Sequence, residues 1–265
     1  MSEDRVRIEV EEHVAVVTLT RPDKHNALDL AMFEAIIGAA SQLREQDGVR
    51  AVVLCGEGPS FCSGLDVAGL MATQGQDGLN TELDREPPNF FQRAAYDWIR
   101  VPVPVIAAVH GACLGGGLQI ALAADIRFAT ADARLSVMEV KWGLIPDMSI
   151  TRTLPRLVSI DVAKELTYTG RVLSGTEAAS LGVVTHVVDD PVAAARQLAG
   201  EIAARSPDAV RGAKRLFDEA WTAPPEVTLA LEASLQRRLI GSENQLAAVT
   251  AGFTKEPAQF VDPVA

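Results

Sequence analysis

Two glycine-rich turns carry the backbone groups that could hold an anionic reaction intermediate. The first turn contains Gly64, and the second contains the three glycines at 115–117. Glycine allows a ligand to approach the backbone closely, and the free N–H groups at the start of a helix favour negative charge. If the two turns face each other, one amide from each would hold a developing oxyanion. From the residues alone, the alternative that these glycines only allow tight packing stays open.

Other familiar site motifs are missing from the sequence. The second turn lacks GxGxxG because position 120 is isoleucine, and neither a GxxxxGK phosphate loop nor a GxSxG elbow occurs. No HExxH is present, and His25, His110 and His186 lack the spacing of metal ligands. We therefore expect no metal site.

The composition is typical of a globular chain with one main core. Its 265 residues are 48% hydrophobic and 22% charged, enough to bury a core without disulfides or metals. The formal net charge of -11 argues against nucleic acid and anionic membranes as partners. Three cysteines without a CxxC favour a reducing compartment, and the acidic start has no apolar signal core. We expect a soluble, cytoplasmic protein.

Hydrophobic patterning predicts the elements that must position the two turns. Residues 5–10 and 13–20 are predicted to form a hairpin. Asp29 is a predicted N-cap for a helix over 30–46, and a short buried strand follows over 51–55. Each glycine turn comes after a buried strand and before a helix start, which indicates a loose internal repeat.

The second half of the chain is predicted to be mainly helical. Strands are expected over 125–130, 133–137 and 183–188, and residues 191–251 have the pattern of nearly continuous helix. Four apolar side chains of the last helices are expected to pack on a partner subunit: Leu229, Leu231, Leu235 and Leu239. The polar segment over 71–86 is expected to be a mobile surface segment near a site.

Five ordered motifs extend over nearly the whole chain: RPDKHNALD, SFCSGLDV, PVIAAVHGACLGGG, ADIRFATADARLSVMEVKWGLIPD and ELTYTGRVLSGTEAASLGVV. Together they resemble the crotonase superfamily, the enoyl-CoA hydratase and isomerase group. The resemblance implies an α/β fold, in which a spiral of repeated strand-strand-helix units occupies residues 1–190. A helical C-terminal trimerisation region would follow over 191–265. It also implies acyl-CoA thioester substrates and a homo-trimer or hexamer, with coenzyme A entering only as part of the substrate and no other cofactor.

The resemblance also assigns site residues. By motif position, the amides of Leu65 and Gly116 form the oxyanion hole. Two glutamates do the acid-base work in a hydratase of the family; Glu139 matches the second, whereas Gln119 stands where the first would be. The residues implied in coenzyme A binding are Lys24, His25, Ala27, Leu28, Ser63, Gly64, Asp66 and Val67, with Phe253 and Lys255 approaching the phosphate end.

The carboxylates indicate which reaction follows. An amide such as Gln119 cannot take up or release a proton near neutral pH, although it could orient water. Asp147 supplies a new carboxylate where a glycine is common in hydratases, and this resembles dienoyl-CoA isomerases, which also carry an aspartate at the position of Gln119. Our hypothesis is that Glu139 and Asp147 transfer protons in an enoyl-CoA isomerase.

Two alternatives remain open from the sequence. One is an enoyl-CoA hydratase in which Glu139 does the work either alone or with Asp147 or Gln119 placing water. The other is a non-catalytic protein that binds CoA thioesters. The sequence does not fix the acyl chain length, which we expect to depend on segment 71–88 and on Trp142, Leu144 and Met148. Three other aromatic side chains are expected to fill the core: Phe90, Phe91 and Trp98.

Overall fold

A computed structural model describes residues 5–67, 69–70, 78 and 80–263. Within these residues, nine strands form a six-stranded and a three-stranded sheet. The strands are β1 (Val6–Glu11), β2 (Val14–Leu19), β3 (Ala51–Gly56), β4 (Val105–Val109), β5 (Ala112–Leu114), β6 (Ile126–Ala129), β7 (Arg134–Ser136), β8 (Leu173–Ser174) and β9 (His186–Val187). The large sheet has the order β1-β2-β3-β4-β6-β9, parallel except for the hairpin β1-β2, and the small one has the order β5-β7-β8.

Helices cover the sheets and form most of the C-terminal third. Those with bounds inside the described part of the chain are α1 (Leu30–Glu45), α2 (Phe90–Ile99), α3 (Gly116–Leu122), α4 (Ile150–Thr153), α5 (Ile160–Thr169), α6 (Gly175–Ser180), α7 (Pro191–Ala203), α8 (Pro207–Ala220), α9 (Pro225–Leu239) and α10 (Glu243–Thr254). The predicted N-cap is confirmed, because the Asp29 side chain accepts the Met32 N–H at 2.8 Å. Short 3-10 turns lie at Pro22–Lys24, Glu139–Trp142 and Leu154–Arg156.

The large sheet is buried on both faces. Successive side chains of a strand point to opposite faces, so Val52 and Leu54 belong to one core while Val53 and Cys55 belong to another. The first core also contains the apolar sides of α1 and α2, including Phe91 and Trp98, with Phe90 packed against it. The expectation that these three aromatics fill core is confirmed. Burial on two faces explains the near-continuous apolar runs of the central strands.

A second row of short strand pairs runs beside the large sheet. Isolated β-bridges, which are single backbone pairs, join Leu28 to Leu65 and Cys62 to Cys113. The sheet β5-β7-β8 continues the row. After β3 and again after β4, the chain therefore crosses from the large sheet to this second row. The prediction of repeated strand-strand-helix units is confirmed.

Some boundaries differ from the sequence prediction. The strand expected over 183–188 is shortened to β9, and β8 was not predicted because two residues carry too little pattern to recognise. The segment expected over 71–86 lies partly outside the described residues, at 71–77 and 79. The division at residue 190 stays a prediction, although Ala195 and Ala199 of α7 pack into the second core of the sheet.

Among the described residues, none of the helices combines the length and the apolar character that crossing a bilayer requires.

Candidate active site

The two glycine turns predicted from the sequence lie against each other. A backbone β-bridge between Cys62 and Cys113 joins the segments that lead into the two turns. The Leu114 N–H donates to the Cys62 carbonyl at 3.0 Å. Gly64 has a φ of +91°, and a Cβ placed there would lie 2.6 Å from the Leu114 carbonyl oxygen and 3.7 Å from the Gly116 nitrogen. Only glycine fits this contact without strain, so the close approach of the turns accounts for the residue type.

Each turn leaves one backbone donor unused. On the first turn, Gly64 accepts the Leu28 N–H and Leu28 accepts the Asp66 N–H, at 2.8 and 3.0 Å. The intervening Leu65 N–H donates to no acceptor in the described part of the chain, and the same holds for the Gly116 N–H, the first of α3. Free donors of this kind on two adjoining turns are what an oxyanion requires.

Gln119, on α3, links the second glycine turn to Glu139 and to Met148, which precedes α4. Its side chain is 1% exposed. The Gln119 Oε1 accepts the Met148 N–H at 2.8 Å, and the Gln119 Nε2 donates to the Glu139 Oε1 at 2.7 Å. A flipped amide would face donor with donor and acceptor with acceptor, so the two contacts fix its orientation. Gln119 thereby holds Glu139 in place.

Glu139 lies next to the second glycine turn. Its Oε1 is 3.4 Å from the position that a Cβ on Gly115 would occupy. Its Oε2 is buried and has no hydrogen-bond partner among the described residues. Burial raises the pKa of the Glu139 carboxyl, and the nearby charge of Asp147 raises it further, against the hydrogen bond from Gln119, which lowers it. A carboxyl with one fixed and one unpartnered oxygen is suited to moving a proton.

Asp147 is the second carboxylate of the site. Surrounding protein raises the pKa of the Asp147 carboxyl even though solvent still reaches the side chain. These two properties agree if Asp147 lies in an open cleft, where water touches the carboxylate but cannot surround it. Its charge contributes to the raised pKa of Glu139, after burial of Glu139, so the two carboxylates lie within electrostatic range of each other, and their pairing in catalysis stays a prediction.

The segments that the resemblance links to coenzyme A are adjacent. The Leu28–Leu65 bridge and the hydrogen bond from the Ser63 N–H to the His25 carbonyl, at 2.9 Å, pair 24–28 with 63–66. The side chains of Lys24 and His25 are exposed beside this pair, whereas Ala27 is half-buried and Leu28 fully buried. Val67 is 40% exposed. The exposed Lys24 ammonium is the group of this segment best suited to meet phosphate.

Two residues that sequence reasoning missed hold this segment together. Asn26 is fully buried with a φ of +55°, and its side chain bonds the backbone of Arg21 and Ser60 at 2.8 Å each. Arg21 binds Asp66 at 2.9 Å and Asp29 at 3.5 Å. The pKa of Asp66 is lowered, first by the Gly69 N–H and then by Arg21. Both residues belong to the motif RPDKHNALD, but their partners Ser60 and Asp66 lie more than 30 residues later, so the sequence alone did not indicate these contacts.

Phe253 and Lys255 lie at the end of α10, and none of the described contacts joins them to the segments above. Phe253 is 86% exposed. The helix is anchored elsewhere, since the Asn244 Nδ2 donates to Asp208 at 2.7 Å and Arg50 binds Asp262 at 3.0 Å. Their role in coenzyme A binding therefore stays a prediction.

The side chains expected to shape the acyl pocket differ in exposure. Met148 is buried, and its Sδ would lie 2.8 Å from a Cβ on Gly116. Trp142 is 66% exposed and Leu144 is also exposed. Met148 therefore packs against the second glycine turn, whereas the position of the exposed Trp142 and Leu144 at an acyl pocket stays a prediction. Within the described residues, no three His, Cys, Asp or Glu side chains are grouped to hold a metal ion.

Comparisons with known proteins agree with this geometry. The sequence profile of the enoyl-CoA hydratase/isomerase family matches residues 9–263. An Arabidopsis thaliana protein named peroxisomal Delta(3,5)-Delta(2,4)-dienoyl-CoA isomerase is 32% identical over 267 residues, covering 96% of this chain and 95% of its own. Human enoyl-CoA hydratase domain-containing protein 2 is 33% identical over 256 residues, covering 94% and 85%. The crystal structure of an enoyl-CoA hydratase from Bacillus anthracis has a TM-score of 0.88 at 30% identity, covering 97% and 98%.

Proposed function

This chain belongs to the enoyl-CoA hydratase/isomerase family, and from that premise we propose that it moves the double bond of an enoyl-CoA through a thioester enolate. The observation that supports this reaction is the fixed contact between Gln119 and Glu139. Adding water through two carboxylates needs a second acid-base group at position 119, and an amide cannot exchange a proton there. Moving a double bond needs one proton removed and one returned, with no water added.

The proposed reaction begins at the thioester. The carbonyl oxygen accepts the N–H groups of Leu65 and Gly116, which acidifies the proton on C2. The Glu139 Oε2 removes that proton, and the electron pair of the broken C–H bond moves onto the carbonyl oxygen to give a dienolate. The two amides stabilise the negative charge; removal of one such donor typically slows a reaction by about 100- to 1000-fold.

The second half of the reaction returns a proton to C4. A protonated Asp147, a form that burial favours because it raises the pKa of that carboxyl, donates it in this proposal, and the electrons of the oxyanion return to restore the carbonyl with a double bond between C2 and C3. Glu139 then carries the proton taken from C2, and Asp147 is left ionised. Solvent reaches Asp147, so exchange with water resets the pair.

Hydration of a trans-2-enoyl-CoA is the second candidate function. It is favoured by the buried, unpartnered Glu139 Oε2, which could hold a water molecule beside the second glycine turn. In that case Glu139 would supply the base and Asp147 the acid.

We also propose that the enzyme works as a trimer or a pair of trimers. On α8 and α9, Pro207 is the only fully buried residue, and large apolar side chains of this region stay exposed in one chain: Phe217, Trp221, Val227 and Leu229. Phe253 and Lys255 would then serve the site of a neighbouring subunit. Three buried, unpaired cysteines support a reducing compartment such as the cytoplasm.

The deciding experiment gives the purified protein a 3-enoyl-CoA and, separately, a trans-2-enoyl-CoA of the same length. We expect ultraviolet absorbance of the conjugated thioester to appear from the 3-enoyl substrate at constant mass. Glu139→Gln should lower kcat by about 100- to 10,000-fold, whereas Glu34→Gln, an exposed glutamate of α1, should not change it. Loss of absorbance with a gain of water from the 2-enoyl substrate would establish the hydratase instead, and equal turnover by Glu139→Gln would rule out both.

A further inference from the structure

A cavity of about 870 Å³ lies outside the candidate active site, between the end of α2, the α4 region and helices α8 and α9. Seven of its lining residues are Arg or Lys, and three are Asp or Glu. The whole chain has the opposite balance, with 24 Lys and Arg against 35 Asp and Glu. Positive charge is therefore concentrated at this cavity.

Three of the seven cations have acidic partners. Lys214 lies 2.6 Å from Asp125, and Arg215 lies 2.7 Å from Glu219. Arg100 lies 3.7 Å from Asp97, which also binds Arg93. These pairs reduce the positive charge of the cavity but leave four guanidinium groups to account for.

The other four, Arg152, Arg156, Arg211 and Arg238, form no salt bridge with a described residue, although Arg156 is near enough to Asp218 for its charge to oppose the rise that burial causes in the pKa of that carboxyl. Arg156 and Arg211 each reach only a backbone carbonyl, at 3.5 Å. The Arg211 Nε is buried without an acceptor. A buried donor left unpaired costs free energy, and a guanidinium presents a planar fork that matches phosphate oxygens. These groups come from four separate elements, and all four line one space.

We propose that this cavity binds a phosphate-bearing anion. Its volume lies in the range of small-molecule sites, about 300 to 1000 Å³, and several converging guanidinium groups favour a multiply charged ligand over a single carboxylate. The ligand is either the nucleotide end of an acyl-CoA or a separate phosphate-bearing metabolite. Arg152 is on α4, which begins two residues after Met148, so a ligand here would contact the element next to the site.

The first test measures binding of inorganic pyrophosphate to the full-length protein by calorimetry and thermal shift. Arg152→Gln and Arg238→Gln should each weaken binding about tenfold, as expected for a lost charge-assisted hydrogen bond. Arg237→Gln is the matched control, because it removes the same charge from the neighbouring position of α9 without lining the cavity. The affinity should also fall as salt is raised.

The second test separates the two sources of phosphate. If the nucleotide end of the substrate binds here, Arg152→Gln and Arg238→Gln will raise KM for an acyl-CoA, and the truncated pantetheine thioester will be insensitive to them. If a separate metabolite binds, the same two variants will leave KM for the acyl-CoA unchanged while their affinity for pyrophosphate falls. The proposal is wrong if pyrophosphate does not bind or if Arg237→Gln weakens it equally. It is also wrong if the variants change only the oligomeric state, since an acidic surface of a second copy would then fill the cavity.

Discussion

At the scale of single residues, the site depends on how the Gln119 amide is held. Its oxygen is committed to the Met148 N–H, so its nitrogen must face Glu139. The Glu139 Oε1 is therefore always an acceptor from Gln119, and Oε2 remains for the substrate. Gln119 is therefore a positioning residue, because its amide N–H donates the hydrogen bond that holds Glu139.

The first prediction concerns Gln119→Glu. One carboxylate oxygen would still accept the Met148 N–H, and the other would face Glu139 at about the distance that the amide nitrogen has now. Two carboxylates so close do not ionise together, so the apparent pKa of the pair should rise. We expect the acidic limb of the kcat/KM profile, which reports ionisation of the base Glu139, to move to higher pH, and water addition to a 2-enoyl-CoA to increase.

Gln119→Met is the control for this substitution, because it removes the donor without adding a titrating group. It should lower kcat while leaving KM nearly unchanged and adding no ionisation to the profile. A Gln119→Glu profile that coincides with the original would show that Glu139 is not the group that titrates.

The second prediction derives the pH dependence of folding stability from the raised pKa of Glu139. Below about pH 4.5, the ordinary pKa of a glutamate, the carboxyl is protonated in both the folded and the unfolded chain and costs nothing. As the pH rises past that value, the unfolded chain releases the proton first, so the folded state loses stability until its own pKa is passed. Glu139→Gln should therefore raise Tm at pH 8 and leave it unchanged at pH 4.

Thermal melts across that range test the second prediction, with the exposed Glu34→Gln as control. Because the substituted amide can still accept from Gln119, the gain measures the burial of charge rather than a new contact. A gain at pH 4 equal to that at pH 8 would contradict the pKa argument.

At the scale of elements, the third prediction concerns the contact between the two turns. Gly64→Ala places a Cβ 2.6 Å from a backbone oxygen at a positive φ, so either the turns separate or the chain is strained by about 1 to 3 kcal/mol. We expect a lower free energy of unfolding and a loss of kcat, because both oxyanion donors shift.

Gly38→Ala is the matched control for that substitution. Gly38 is exposed in the middle of α1, and a Cβ there meets nothing within 4 Å. Alanine is favoured over glycine by about 0.5 to 1 kcal/mol inside a helix, so this variant should be slightly more stable and fully active. Urea unfolding and kcat together decide the outcome. If Gly64→Ala were as active as Gly38→Ala, the two turns would not form the oxyanion site.

The same elements show what the sequence could and could not predict. The Asp29 cap, the central buried strands and both glycine turns were predictable, because each depends on residues within a few positions of one another. The orientation of Gln119 was not, since its oxygen is fixed by a backbone N–H 29 residues later. The ties of Arg21 to Asp66 and of Asn26 to Ser60 likewise depend on how distant segments fold together.

At the scale of the whole molecule, charge and apolar surface are distributed unevenly. A chain of net charge -11 repels an anionic substrate at long range, so local cations such as Lys24 must offset that repulsion where the substrate binds. Uncovered apolar surface occurs at residues 140–145 and again on the C-terminal helices, where Phe217, Trp221 and Leu229 are 63%, 59% and 61% exposed. Singly exposed apolar residues are ordinary, but several on two packed helices indicate a protein interface.

The last prediction follows from that surface. Phe217→Asp and Trp221→Asp should dissociate the proposed oligomer, because burying a large apolar side chain contributes about 1.5 to 3 kcal/mol and burying an unpaired carboxylate costs more. Val10→Asp, at an exposed position of the edge strand β1, is the control and should not change the mass in solution. Sedimentation gives the mass of each variant. Because Phe253 and Lys255 make no described contact with the CoA segments of their own chain, dissociation should also raise KM for acyl-CoA. A dissociated variant with an unchanged KM would show that each subunit binds its substrate alone.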